Sequence, residues 1–192
     1  SPQAAPANDI CANFASASSP ITYTLDNNGD GPLTITSIDV IESTSTVYSE
    51  GFESDFGTWV QGGGDDMNWS RTTAGTSPSV GTGPDTFGAQ EGSAFIFTEA
   101  SDPNNPDKTA YLDSQAFDLT GLNEVFIKFY YHMWDLDRGS MGDLKLQVST
   151  DGGTTFPTTI WERVGSQRDQ WLEATADLSP WDGQTIHLRF FG

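Results

Sequence analysis

Cysteine is nearly absent: Cys11 is the single one in 192 residues, so no intrachain disulfide can form. It lies in a polar stretch with no histidine nearby, which marks an incidental thiol. Positive charge is scarce as well, with 8 Lys and Arg against 27 Asp and Glu and a formal net charge of −19. That balance argues against nucleic acid and anionic lipid as partners, because binding phosphate needs a basic surface. No apolar run is long enough to span a bilayer and no signal peptide is visible, so membrane insertion is not expected. Long segments with apolar residues at helical spacing are missing too. What the chain has instead is 20 Gly, 10 Pro and 12% aromatic residues, with Ser, Thr, Asn and Asp throughout. Short aromatic and β-branched runs between such turn residues predict an all-β protein. At this length a sandwich buries roughly 70% of its unfolded surface, so a core needs no covalent staple.

Three regions follow from composition. Residues 1–20 are rich in Ala, Ser, Pro and Asn and read as linker. The opening Ser1-Pro2-Gln3-Ala4-Ala5-Pro6 reads as the interior of a longer polypeptide. Residues 21–47 contain Ile21-Thr22-Tyr23-Thr24-Leu25 and Pro32–Ile41 on either side of an Asn/Gly cluster, the pattern of a β-hairpin, followed by a Ser/Thr-rich hinge at 42–47. Asp26, Asn28, Asp30 and Gly31 imitate the opening of an EF-hand loop. The twelfth position is Ser37, however, where a bidentate Glu belongs, and strands flank the loop, so a plain turn is the better reading. Asn28–Ile35 also resembles a strand pair of bacterial immunoglobulin-like repeats. From residue 48 onward, candidate strands fall at Ala94–Thr98, Ala110–Leu112, Glu124–Met133, Asp143–Ser149, Thr159–Val164, Trp171–Asp177 and Thr185–Phe191. Seven or more short strands with regular turns predict a jelly roll, a two-sheet antiparallel β-sandwich. Phe126–Tyr131 shows so little alternation that it predicts a central strand covered on both faces.

The chain also carries a series of motifs in a recognisable order. Gly51-Phe52-Glu53, Gly57-Thr58-Trp59 and Asp65-Asp66-Met67-Asn68-Trp69-Ser70-Arg71 come first. Gly92–Ser101, Lys108–Ser114, Ile127–Met133, Gln170-Trp171-Leu172 and Leu188–Gly192 follow. Together they resemble the MAM domain over residues 48–192. The Phe-Glu opening alone is shared with the cleaved-adhesin jelly rolls of bacterial surface proteases. Three features depart from the family: Phe126 stands where a cysteine precedes the central strand, Asn68 replaces an acid before Trp69, and the sequence stops at Gly192, before the family's last strand. That last strand carries an Asp-hydrophobic alternation that Ser37–Glu42 imitates, which leaves three readings open: the N-terminal segment supplies it in the same chain, a neighbour donates it, or the sequence is simply cut off before it.

The resemblance implies a secreted, calcium-binding adhesion or interaction module, bacterial in its lack of cysteines, that contacts a protein or glycan ligand on a cell surface or matrix. Glu53, Asp65 and Asp66, with Asp55 in reserve, are the positions it suggests for Ca2+, a hard cation that wants six to eight oxygens. Alternatives are a carbohydrate-binding accessory domain of a larger hydrolase or protease, or the subunit of an extracellular polymer that self-associates by strand donation. Among the tryptophans, Trp134 and Trp181 stand beside polar turns and are the candidate ligand-binding aromatics. Ser149-Thr150-Asp151-Gly152-Gly153-Thr154-Thr155-Phe156 resembles a single Asp-box, a hairpin turn whose aromatic is expected to plug the core. No His-Glu-x-x-His run, Gly-x-Ser-x-Gly elbow or phosphate loop is present, and nothing in the sequence supports an enzyme.

Overall fold

The computed structural model describes residues 45–73, 83–84, 88–99, 104, 108–136 and 141–192. The N-terminal hairpin, its EF-hand-like loop and Cys11 lie outside the described residues. The chain divides into two units, Ser1–Tyr48 and Ser49–Gly192, and every described strand belongs to the second. Those strands are β1 (Val60–Gln61), β2 (Ser70–Thr72), β3 (Phe95–Phe97), β4 (Tyr111–Asp113), β5 (Phe117–Asp118), β6 (Phe126–Tyr131), β7 (Asp143–Ser149), β8 (Thr158–Val164), β9 (Leu172–Asp177) and β10 (Thr185–Phe191), with one 3₁₀ turn at Ser179–Trp181. Among the described residues no helix is long and apolar enough to cross a membrane.

The fold is the expected jelly-roll β-sandwich, with every pair of described strands antiparallel. One sheet runs β1-β4-β10-β7-β8, with β5 pairing the start of β10. Among the described residues the other layer has two pairs, β2-β3 and β6-β9. β10 is central because its alternation suits it: Ile186 and Leu188 point inward and are fully buried, while His187 and Arg189 take the opposite face. Leu146 and Val148 of β7 and Leu112 of β4 complete this apolar layer, each with at most 1% of its surface exposed. Side chains buried to that degree contribute about 1.5–3 kcal/mol each.

The second layer meets the first through aromatic rings. Phe129 of β6 stands edge-on to Trp161 of β8 and to Phe190 of β10, both at 5.0 Å between ring centres. Ala174 and Ala176, buried on β9, are small enough to leave room for those rings. β6 itself corrects one expectation: it is not covered on both faces. Its residues alternate, with Phe126 48% and Tyr130 39% exposed, and among the described residues it pairs only with β9. Polar outer-face partners explain why aromatic residues tolerate water there. The Tyr130 hydroxyl donates to Glu173 at 2.8 Å, and Lys128 bridges to the same carboxylate at 3.0 Å. β1, β2 and β5 had no counterpart among the sequence-predicted strands, since two or three residues are too few to display a period.

Candidate functional site

The segment that opens the sandwich is held by charged side chains acting on the main chain. Phe52 is in the left-handed region at φ 57°, an arrangement that costs a non-glycine residue roughly 1–2 kcal/mol. Its N–H donates to Glu50 at 2.7 Å, and its carbonyl accepts from the Arg71 guanidinium, which also donates to the Glu53 carbonyl. The Glu53 carboxylate turns the other way. One oxygen accepts the N–H groups of Ser93 and Ala94 at 2.9 and 3.0 Å, and the other accepts the Ser93 hydroxyl at 2.7 Å. The Ser93 hydroxyl, then the two amides, hold this carboxyl below its ordinary range. The close approach depends on Gly92: a Cβ there would sit 2.2 Å from a Glu53 oxygen, and φ is +67°. Glu53 thus clasps the first strand region to the start of β3, forty residues away.

The other three predicted calcium ligands are also engaged with backbone. Asp65 accepts the Tyr111 N–H at 2.7 Å, and Asp66 accepts the N–H and hydroxyl of Thr109 at 3.0 and 3.1 Å. These two acids tie their turn to β4, while Asp55 accepts from its local neighbour Gly57. Among the described residues no three Asp, Glu, His or Cys side chains come close enough together to hold a metal ion. The four acids therefore do not form a ready-made Ca2+ cage there: Glu53 holds Ser93, and Asp65 and Asp66 hold residues 109–111.

Beside this region lies a cleft of about 860 Å³. Phe52, Phe97, Phe129, Phe190, Trp69 and Trp171 are among its walls. Trp69 and Trp171 are anchored by indole N–H donation to the carbonyls of Ala110 and Gly88, at 3.3 and 2.8 Å. Trp134 and Trp181, the predicted ligand-binding aromatics, are half-buried and take no part in this cleft; Trp181 closes the 3₁₀ turn. At one end His132 Nε2 lies 3.0 Å from the Asp169 carboxylate, which accepts the hydrogen bond, and the imidazole stands edge-on to Trp171. A Cβ on Gly83 would strike that ring at 2.3 Å. His187 lies against the Ser114 carbonyl at 3.2 Å. Both histidines are thus packed against named partners.

One polar feature could not be assembled from local sequence. Arg189 of β10 and Asp113 of β4, directly opposed across the ladder, form a two-bond fork at 2.6 and 2.7 Å. The guanidinium lies 4.3 Å from the Tyr111 ring centre and 4.0 Å from that of Phe156. Phe156 is therefore a cover for Arg189, half-buried, and not the core plug expected of the Asp-box. The rest of the box behaves as expected. Asp151 accepts the amides of Thr154 and Thr155 at 3.0 and 2.9 Å and the hydroxyls of Ser149 and Thr155 at 2.7 and 2.6 Å. The Thr155 hydroxyl and amide, with Ser149, hold its carboxyl far below the usual range. A carboxyl depressed on folding adds stability that is fully present above its unfolded value, near pH 3.9, and is lost as pH falls toward the folded one. In urea melts across pH 6 to 2, Asp151→Asn is expected to lower stability at pH 6 and to flatten the fall below about pH 4.

A two-layer jelly roll with a clasped opening segment and a cleft beside it defines the class of β-sandwich domains. The family model of the MAM domain, meprin/A5/mu, matches residues 51–191, and the chain belongs to this family. Zonadhesin of Homo sapiens is 31% identical over 137 residues, 71% of this chain and 5% of the human protein. Zonadhesin of Oryctolagus cuniculus is 32% identical over 99 residues, 52% of this chain and 4% of the rabbit protein. The chain therefore spans about a twentieth of the length of these relatives. Among solved structures, the K2 cleaved-adhesin domain of Lys-gingipain superposes with a TM-score of 0.52 at 19% identity, covering 74% of this chain and 88% of that one. That likeness is one of fold.

Proposed function

We propose that the chain is a secreted or cell-surface interaction module that mediates adhesion through protein contacts and has no catalytic role of its own. Membership of the MAM family over residues 51–191 carries this reading. The relatives named zonadhesin and the adhesin domain of Lys-gingipain support it. A net charge of −19 suits a soluble module that avoids nucleic acid and anionic membranes. Trp134 and Trp181, half-buried beside polar turns, favour the carbohydrate-binding alternative. A glycan array separates the two: no saturable sugar signal is expected, whereas a signal lost in Trp134→Ala or Trp181→Ala would establish the alternative.

Calcium is a second proposal, resting on the family resemblance of Glu53, Asp65 and Asp66. An ion that binds only the folded chain stabilises it by RT ln(1 + [L]/Kd), about 2.7 kcal/mol at a hundredfold excess over Kd. Melting with calcium and then with chelator is expected to lower the midpoint by several degrees. Should chelator leave the midpoint unchanged while Glu53→Ala still lowers it, the acids act as main-chain clasps alone.

A further inference from the structure

The run Asn68-Trp69-Ser70 has a feature that neither the clasps nor the cleft accounts for. Of all the asparagines in the chain, Asn68 alone has a serine or threonine two positions on, and the residue between them is not proline. Asn-x-Ser with any x but proline is the acceptor sequence for N-linked glycan in secreted proteins, where it belongs on a surface loop. Asn68 is also the position at which the chain lacks the acid expected before Trp69. The exchange that removes a carboxylate there creates the acceptor.

The local structure presents the motif to solvent. Asn68 lies in the loop between the Asp65–Asp66 turn and β2, and Ser70 is the first residue of β2. Burial alternates along the run: Asn68 and Ser70 are exposed, and Trp69 between them is half-buried. That is the alternation of an extended chain, which sends side chains two apart to the same face. Trp69 fixes the orientation. Its indole N–H donates to the Ala110 carbonyl at 3.3 Å. Its main-chain N–H donates to the Gln61 side-chain oxygen at 2.9 Å, and its carbonyl accepts from the Gln61 side-chain nitrogen at 3.0 Å. With the tryptophan held at three points, the side chains on either side of it are left to water. Among the described residues neither the Asn68 amide nor the Ser70 hydroxyl has a hydrogen-bond partner, so a sugar on Asn68 displaces no such contact.

We propose that Asn68 is an acceptor for N-linked oligosaccharide. The inference rests on the secreted or cell-surface reading, because the donor, a lipid-pyrophosphate-linked oligosaccharide, is met by chains that enter a secretory route. In the transfer a bond forms between Asn68 Nδ2 and the anomeric carbon of the first sugar. The bond from that carbon to the pyrophosphate oxygen breaks, the lipid pyrophosphate leaves, and Nδ2 gives up one proton. Ser70 acts through its hydroxyl as the recognition residue. The chain supplies the acceptor and no catalytic group.

The test is production of the 192-residue chain behind a secretory leader in cells that perform N-glycosylation. Intact mass is measured before and after an amidase that releases N-glycans and leaves aspartate in place of the modified asparagine. A glycan increment is expected, removed by the amidase, with the new aspartate mapped to position 68. Asn68→Gln and Ser70→Ala are expected to lose the whole increment, and Ser70→Thr, which keeps the hydroxyl, to retain it. Asn68→Gln is expected to melt within about 2 °C of the deglycosylated wild-type chain, as a surface change without a lost contact does. That separates loss of the acceptor from loss of the fold. A chain that enters the secretory route and carries no increment overturns the proposal, as does an increment that persists in Asn68→Gln. A glycosylated chain that melts well below its deglycosylated form overturns it too, since the sugar would then be displacing packed structure. Adhesion that persists without the increment removes the site alone; adhesion that fails with the glycan in place removes the interaction-module reading and leaves the site.

Discussion

Arg189→Met is expected to destabilise the sandwich by about 3–5 kcal/mol in urea unfolding, the usual cost of removing one partner of a buried ion pair. Both side chains are largely withdrawn from water, with 15% of Arg189 and 18% of Asp113 exposed. Methionine replaces the aliphatic stem but leaves Asp113 facing an empty position between Tyr111 and Phe156. Gly62 packs closely on this pair: a Cβ there would meet Tyr111 at 2.4 Å and the Asp113 carboxylate at 3.3 Å. Lysine at 189 keeps the charge but loses the fork and the stacking on two rings, so Arg189→Lys is expected to fall between wild type and Arg189→Met. Adding Asp113→Leu to Arg189→Met is expected to recover most of the loss, since deleting both charges removes the desolvation cost along with the attraction. If the double variant is as unstable as Arg189→Met alone, the stacking and packing of Arg189 outweigh its charge.

Trp161→Ala is expected to cost about 3–5 kcal/mol, the range for removing a large buried aromatic. The ring is 9% exposed and touches Phe129 at 5.0 Å and Tyr131 at 4.8 Å between centres, so it is a principal tie between the two layers. Trp134→Ala, at a half-buried position outside that cluster, is expected to cost clearly less. Comparable losses at the two positions in thermal or urea melts would contradict the packing described for the layers.

The parts of this architecture that show a period were legible in the sequence. β7 and β10 occupy the predicted spans, Asp143–Ser149 and Thr185–Phe191, because β7 alternates polar and apolar residues for seven positions and β10 for six. Phe126–Tyr131 was legible as a strand but not in its environment. Its aromatic outer positions look buried in a linear reading, whereas Lys128 and Glu173 make Tyr130 tolerable in water. At the candidate site the acids Glu53, Asp65 and Asp66 were marked by the family resemblance, but their partners were not. Ser93 and Tyr111 lie forty or more residues away, and no local spacing announces an amide that will donate. The Arg189–Asp113 fork was missed for the same reason.

The central claim, that this chain adheres through protein contacts, is tested most directly with beads coated with the 192-residue chain and applied to a panel of cell and matrix-protein surfaces. Saturable attachment above that of uncoated beads is expected, abolished when the target surface is trimmed with protease and preserved after glycosidase treatment. Attachment no greater than that of uncoated beads, or attachment that survives protease and disappears with the glycans, would contradict it.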